Sequence, residues 1–240
     1  MAGLLDVEDP TENAEDRRYR LPAAHADVLL DADRPAHAGA AAWWMGSLAQ
    51  VLQRVPDLYR SGQGLPYPEY GADCRLAIAN FNRPMFVNDL AGWFAAVPEL
   101  QARLQADRLR FRVVDAAELQ AAGEGGYDAA FVFEALHDMA RPVEALQAIR
   151  ALLIPGGVVV VADEKVAETF TAPGDEVERL NFAFSWWHCL PASRAETPSV
   201  AAGTALRPAT VRDWAGRAGF ADLEVLPVDH LFWRFYQLGG

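Results

Sequence analysis

The hydrophobic pattern of this chain changes period twice. Near the start, Leu4-Leu5-Asp6-Val7 and Arg18-Tyr19-Arg20-Leu21 flank an acid-rich polar turn, Glu8 to Asp16, which predicts a hairpin. Two strands alone are marginal in water, so this hairpin needs the next helices or a partner to lie against. From Pro35 to about Tyr59, Trp43, Trp44, Leu48, Val51, Leu52 and Val55 recur at helical spacing, and Ser61 to Pro66 ends that helix. More helix is predicted from Ala72 to Leu104, interrupted near Arg83-Pro84 and Val97-Pro98, where proline removes a donor. Residues 1–106 therefore read as a helical region with a hairpin in front, and residues 107–240 as a second domain.

In that second domain the period turns to that of an α/β fold. Leu109 to Val114 alternates as a strand and ends in Asp115-Ala116-Ala117. An acid at a strand end is either a polar ligand edge or the N-cap of the next helix. Gly123 to Gly126 lead from a helix into Tyr127 to Phe133, the reverse of a phosphate cradle, and read as a turn. That strand stops at Glu134-Ala135-Leu136-His137-Asp138. A helix follows with Val143, Leu146, Ile149 and Leu153 on one face, opened by Pro142 and closed by Pro155-Gly156-Gly157. Val158 to Ala162 is an unbroken apolar run, as expected of a strand covered on both faces, and it ends in Asp163-Glu164-Lys165. Thr210 with Asp213 reads as a capping box opening a further helix that Gly219 closes. Leu223 to Leu226 and Leu231 to Leu238 make an antiparallel pair. The fold predicted is α/β: a Rossmann-like, mostly parallel sheet with a C-terminal antiparallel hairpin. Five strands are expected, with Arg108 to Val114 beside Tyr127 to Phe133, because an unpaired apolar edge is costly.

Charge narrows the partners. With 21 Lys+Arg against 33 Asp+Glu the formal charge is −12, which repels nucleic acid and anionic membranes. Cys74 and Cys189 are far apart and in no zinc-ligand spacing, so no disulfide and no metal are expected, and a reducing cytoplasm is. The start carries acids where a leader has a basic segment, and no run of 18 apolar residues occurs. Gly62-Gln63-Gly64 follows a helix and leads into prolines, the wrong context for a cofactor loop.

Two clusters carry chemistry. His137 can take a proton at neutral pH, with Asp138 to orient it; equally, it can be a histidine at a helix entrance that satisfies backbone groups. The run Phe182 to Cys189 can line a hydrophobic substrate pocket, with Trp186 and Trp187 as its walls and His188 as a polar handle, or it can be a core-packing helix.

At these residues the chain resembles the class I S-adenosylmethionine-dependent methyltransferases, in particular small-molecule O-methyltransferase-like members with an N-terminal winged-helix-type domain. Ala2 to Leu21 looks like the end of a recognition helix plus the wing, Asn82 to Phe86 like the linking helices, and Tyr127 to Ala162 like the fourth strand, helix and Pro-Gly-Gly turn into the fifth strand. The resemblance implies S-adenosylmethionine as cofactor, with Asp115 and Ala116 by its adenine and Glu134 near its methionine end. It also implies His137 and Asp138 as the general-base pair, a small hydroxylated or amine metabolite as acceptor, and a homodimer or pairing with an intact homologue.

One part of the family pattern has no counterpart. The glycine-rich loop (motif I) and the ribose-gripping acid would fall between Asp107 and Arg108, where the chain runs on directly. Charge-assisted hydrogen bonds contribute about 1.5–3 kcal/mol each, so the loss of several lowers the cofactor affinity expected. Three readings follow from the sequence: a methyltransferase with an altered cofactor pocket, a cofactor-independent enzyme doing proton transfer or cyclisation on the same scaffold, and a non-catalytic homologue.

Overall fold

The acid-rich turn near the start closes an antiparallel hairpin, β1 (Asp6–Val7) paired with β2 (Tyr19–Arg20). An exposed ion pair between Arg20 and Asp6 bridges it at 3.2 Å. This is the hairpin the sequence predicts. The computed structural model of the chain describes residues 3–97 and 125–239. It divides into two compact units, Met1–Val51 with Tyr70–Gly92, and Leu52–Glu69 with Trp93–Gly240. The domain boundary expected near residue 106 lies outside the described residues.

In the first unit α1 (Ala23–Leu29) and α2 (Gly39–Ala49) precede the long α4 (Gly71–Ala95), whose residues from Trp93 on belong to the second unit. Leu48, Cys74 and Ala77 are fully buried there, and Trp44 packs on Phe81 with ring centroids 5.5 Å apart. The helix predicted to run from Pro35 to Tyr59 is broken into α2, a 3-10 turn (Leu52–Arg54) and α3 (Val55–Ser61), where Pro56 sits in the first turn. Pro84, by contrast, does not interrupt α4. A proline costs about 3 kcal/mol in a helix interior, but Cys74 and Ala77 before it and Trp93 after it are all buried. Tertiary packing holds both halves, and Asn88 Nδ2 donates to the Pro84 carbonyl at 2.7 Å. In the second unit, α3 ends at Gly62, whose φ of +71° is the left-handed conformation a helix C-terminus favours in glycine.

The sheet of the second unit has four described strands, ordered β3-β4-β6-β5: β3 (Tyr127–Phe133), β4 (Leu153–Glu164), β5 (Asp222–Val225) and β6 (Trp233–Gly239). β3 and β4 are parallel, and β6 is antiparallel to both β4 and β5. The closing hairpin stands as the pattern predicts, whereas Leu109 to Val114, the expected fifth strand, lies outside the described residues. Pro155-Gly156-Gly157 does not close a helix ahead of the strand. It lies within β4, and Leu153, expected on the helix face, pairs with Tyr127 before the register skips to Ala129↔Val158. The skip absorbs the excess residues as an irregularity, with Gly156 at φ +77°.

Alternation sends Val132, Val159, Val161, Tyr236 and Leu238 to one face, where they form a core with α5 (Pro142–Leu152) and α8 (Pro208–Arg217). Val143, Leu146 and Ile149 supply the apolar stripe of α5, and Val211 and Trp214 that of α8. The opposite face is aromatic: Phe133, Trp233 and Phe235 surround Trp93, with centroids 6.1, 5.2 and 5.1 Å from it. The expected capping box at Thr210 does not form. Pro208 takes the first helical position with Arg207 as N-cap, which places Thr210 inside the helix, and Asp213 pairs with Arg217 instead. Between the sheet strands lie α6 (Glu176–Phe184), a π-helical turn (Ser185–Cys189) and α7 (Leu190–Ser193).

Candidate active site

Parallel pairing brings the carboxyl ends of β3 and β4 side by side, and the polar residues that terminate the two strands meet there. Past Phe133 the chain turns through Glu134, a non-glycine residue at φ +46°. Its N–H donates to the Ala162 carbonyl at 2.9 Å, and its Oε1 accepts from Trp233 Nε1 at 2.8 Å. Backbone held in this region is strained, and such strain collects at ligand sites. A 3-10 turn, Leu136–Asp138, then carries His137 inward until only 2% of its side chain is exposed.

Carboxylates surround that imidazole. Nδ1 lies 2.7 Å from Asp163 Oδ1 and 2.8 Å from Glu164 Oε2, and Nε2 lies 3.2 Å from Asp138 Oδ1. Asp163 also accepts from the backbone N–H groups of Glu164 (3.0 Å) and His137 (3.3 Å). Burial disfavours the imidazolium, but Asp163, Glu164 and Asp138 together outweigh it and raise the His137 pKa well above 6.5. Burial likewise raises the Glu164 carboxyl well above 4.5, with Asp163 adding to it against the pull of His137. Asp163 moves the other way: burial opposes its charge, yet His137 and the donors around it hold it below 3.8. These opposed shifts mark Asp163 as the carboxylate partner of the His137 ring and Glu164 as the acid that burial pushes toward its neutral form.

The π-helical turn supplies the remaining wall. Its wider winding turns His188 and Cys189 inward, both buried, while Trp186 stays 47% exposed. Trp186 stacks on Tyr59 with centroids 6.2 Å apart, and Tyr59 Oη donates to the Trp186 carbonyl at 3.0 Å. Trp187 is half-buried, and His188 meets Tyr67 edge-on at 5.2 Å. Burial lowers the His188 pKa and raises the Cys189 thiol well above 9.0. Gly203, at φ +63°, lies so close to the turn that any Cβ there would collide with Ser185 Oγ.

Of the residues singled out from sequence, Glu134, His137 and Asp138 gather at the carboxyl edge, and His188 is buried with Cys189. Asp115 and Ala116 lie outside the described residues. Sequence reasoning missed Asp163, Glu164 and Cys189 as site residues. The signal for the first two was present, since a polar pair ends the apolar run of β4; what was lacking was its pairing with the strand that ends in His137.

Residues 77–161 match a family described as methyltransferase domain. Solved structures align with nearly the whole chain. A Nostoc punctiforme protein assigned to the O-methyltransferases has TM-score 0.66 at 16% identity, over 99% of this chain and 81% of its own. Human N-acetylserotonin methyltransferase, in complex with S-adenosylmethionine, has TM-score 0.64 at 15% identity, over 98% and 79%. The fold is that of the class I methyltransferases. An O-methyltransferase family protein from Burkholderia thailandensis adds a third likeness, TM-score 0.63 at 14% identity over 99% and 80%. No curated protein matches the chain in sequence. His137 stands just past the carboxyl end of β3, the first strand in the described order β3-β4-β6-β5. No helix among the described residues is long and apolar enough to cross a membrane.

Proposed function

We propose that the protein is an S-adenosylmethionine-dependent methyltransferase acting on a hydroxyl or amine of a small metabolite, with His137 and Asp138 handling the acceptor's proton. The observation that carries this reading is the carboxyl edge of the β3–β4 pair, where Glu134, Asp138, Asp163 and Glu164 stand with one imidazole. Open α/β sheets bind ligands at the carboxyl ends of their strands. S-adenosylmethionine bears a sulfonium and an ammonium, and an edge this rich in acid attracts both cations. When bound, the cofactor supplies an electrophilic methyl group. Glu134 is the described residue assigned to its methionine end, and Asp115 and Ala116 are assigned to its adenine.

The acceptor loses a proton as it is methylated, and the Nε2–Oδ1 pair of His137 and Asp138, 3.2 Å apart, is the place to receive it when Nε2 is unprotonated, a form reached as pH rises through the raised His137 pKa. Asp163 and Glu164 hold the imidazole from the other nitrogen, so the ring cannot swing away. The exposed face of Trp186 and the buried His188 give the acceptor an apolar wall with a polar end. Incubation with isotopically labelled S-adenosylmethionine and a panel of phenols, alcohols and amines tests this, with mass spectrometry as the readout. Labelled product made by the parent and lost in His137→Ala, with circular dichroism unchanged, supports the proposal; no product from any acceptor contradicts it.

A second reading is favoured by one observation: the sequence runs directly from Asp107 to Arg108, where the resemblance would place the glycine-rich loop. On that reading the scaffold works without the cofactor, using His137 and the aromatic turn for proton transfer or cyclisation, or pairs with an intact relative. Turnover of a substrate in the absence of S-adenosylmethionine would favour it.

A further inference from the structure

Cys189 has no part in the reaction proposed above, yet its thiol is buried against the imidazole at the centre of the site. We propose that His137, Asp138 and Cys189 bind a divalent ion of the zinc class, with the fourth position left open to water or to an acceptor oxygen. The ligand atoms of these three residues all lie within 4.8 Å of one another. In a tetrahedral site with bonds of about 2.0–2.2 Å to nitrogen and oxygen, neighbouring N and O ligands stand about 3.3–3.5 Å apart. His137 Nε2 and Asp138 Oδ1 are 3.2 Å apart, close to that edge already.

Which side of the imidazole takes the ion follows from the other nitrogen. His137, Asp163 and Glu164 also form a group with metal-ligand atom types. There, however, Nδ1 approaches its carboxylates at 2.7 and 2.8 Å. Both distances are too short to straddle an ion, and the one to Asp163 is a hydrogen bond. Nδ1–H donating to Asp163 instead makes the carboxylate–histidine arrangement that fixes the ring and strengthens the opposite nitrogen as a ligand. That opposite nitrogen, Nε2, is the one facing Asp138.

Charge and access agree. One neutral imidazole, one carboxylate and one thiolate balance a dication, so the ion and its three ligands together carry no net charge. In the loaded form the ion takes the place of the proton between Nε2 and Oδ1 and displaces the thiol proton, so Nε2 can take an acceptor's proton only in the ion-free form. Asp138, with 22% of its side chain exposed, is the way in. The spacing of histidine and cysteine in the sequence hides this set, because the ligands come from the end of β3 and from the π-helical turn.

Titrating the chelator-stripped chain with Co²⁺ and then Zn²⁺, without cofactor or acceptor, tests the site. One Co²⁺ per chain is expected, with thiolate-to-cobalt charge-transfer absorption that Zn²⁺ abolishes. Cys189→Ser should remove that absorption and weaken Zn²⁺ binding by at least about 10-fold, and Asp163→Asn, which keeps all three ligands, should weaken it by about 10–100-fold while the absorption remains. No saturable binding, Co²⁺ bound by the parent without a sulfur band, or undiminished Zn²⁺ binding in Cys189→Ser overturns the proposal. Because no methyl donor or acceptor is present, those results leave the methyl-transfer reading standing, and failure of methyl transfer leaves this one standing.

Discussion

Replacing Asp163 by Asn removes a buried charge while keeping the side chain's shape. Asp163 is 1% exposed and accepts from His137 Nδ1, from the His137 N–H and from the Glu164 N–H. An asparagine oxygen can keep some of these bonds, but its amide nitrogen turns a donor toward another donor. Removing one partner of a buried ion pair costs about 3–5 kcal/mol, because the other charge is left uncompensated. Linkage sets the pH window. The folded His137 pKa lies well above its ordinary 6.5, so its contribution is fully present below 6.5 and is lost as pH rises through the folded value. The folded Asp163 pKa lies below its ordinary 3.8, so its contribution is present above 3.8 and is lost as pH falls through the folded value. Urea unfolding of the parent and of Asp163→Asn, both in chelator, should therefore show the full loss at about pH 6 and a smaller one at the alkaline end of the range in which the parent stays folded. A loss below about 1 kcal/mol at the lower pH, or equal losses at both, would refute an imidazolium–carboxylate pair at the heart of the site.

Three further outcomes are expected. His137→Ala should lower the rate of methyl transfer by about 10²–10⁴-fold with the fold retained; an unchanged kcat would make His137 a structural residue. Leu146→Ala empties a fully buried position between α5 and the sheet and should cost about 2–5 kcal/mol in chemical denaturation, while a loss under 1 kcal/mol would mean that the core collapses around it. Arg207→Leu should cost about 3–5 kcal/mol, because the fully buried Glu178 carboxyl, held by Arg207 Nη2 at 2.7 Å, would lose that partner; a double variant with Glu178→Gln that is no more stable than the single one would contradict this.

What the sequence shows clearly is what local pattern encodes. The hairpin of Asp6 and Tyr19, the amphipathic α5, the apolar run of β4 and the closing β5–β6 pair all follow from period and turn chemistry. Where prediction and structure part, tertiary context decides: Pro84 is carried through α4 by burial on both sides, and Pro155 to Gly157 are taken into a strand by pairing with β3. The Thr210 capping box yields to Pro208, a stronger determinant of where a helix starts. At the site, His137 and Asp138 stand out because they are adjacent, whereas Asp163 and Glu164 reach the imidazole through strand pairing, and Cys189 through a π-helical turn that no spacing rule anticipates.

The central claim, that the carboxyl edge of this sheet serves a methyl donor, is tested most directly by calorimetric titration of the purified chain with S-adenosylmethionine. The account predicts saturable one-to-one binding, weaker than about 1 μM, where binding is worth about 8 kcal/mol, as expected if the sequence reading of an absent motif I holds. Absence of any binding heat at millimolar cofactor would contradict it.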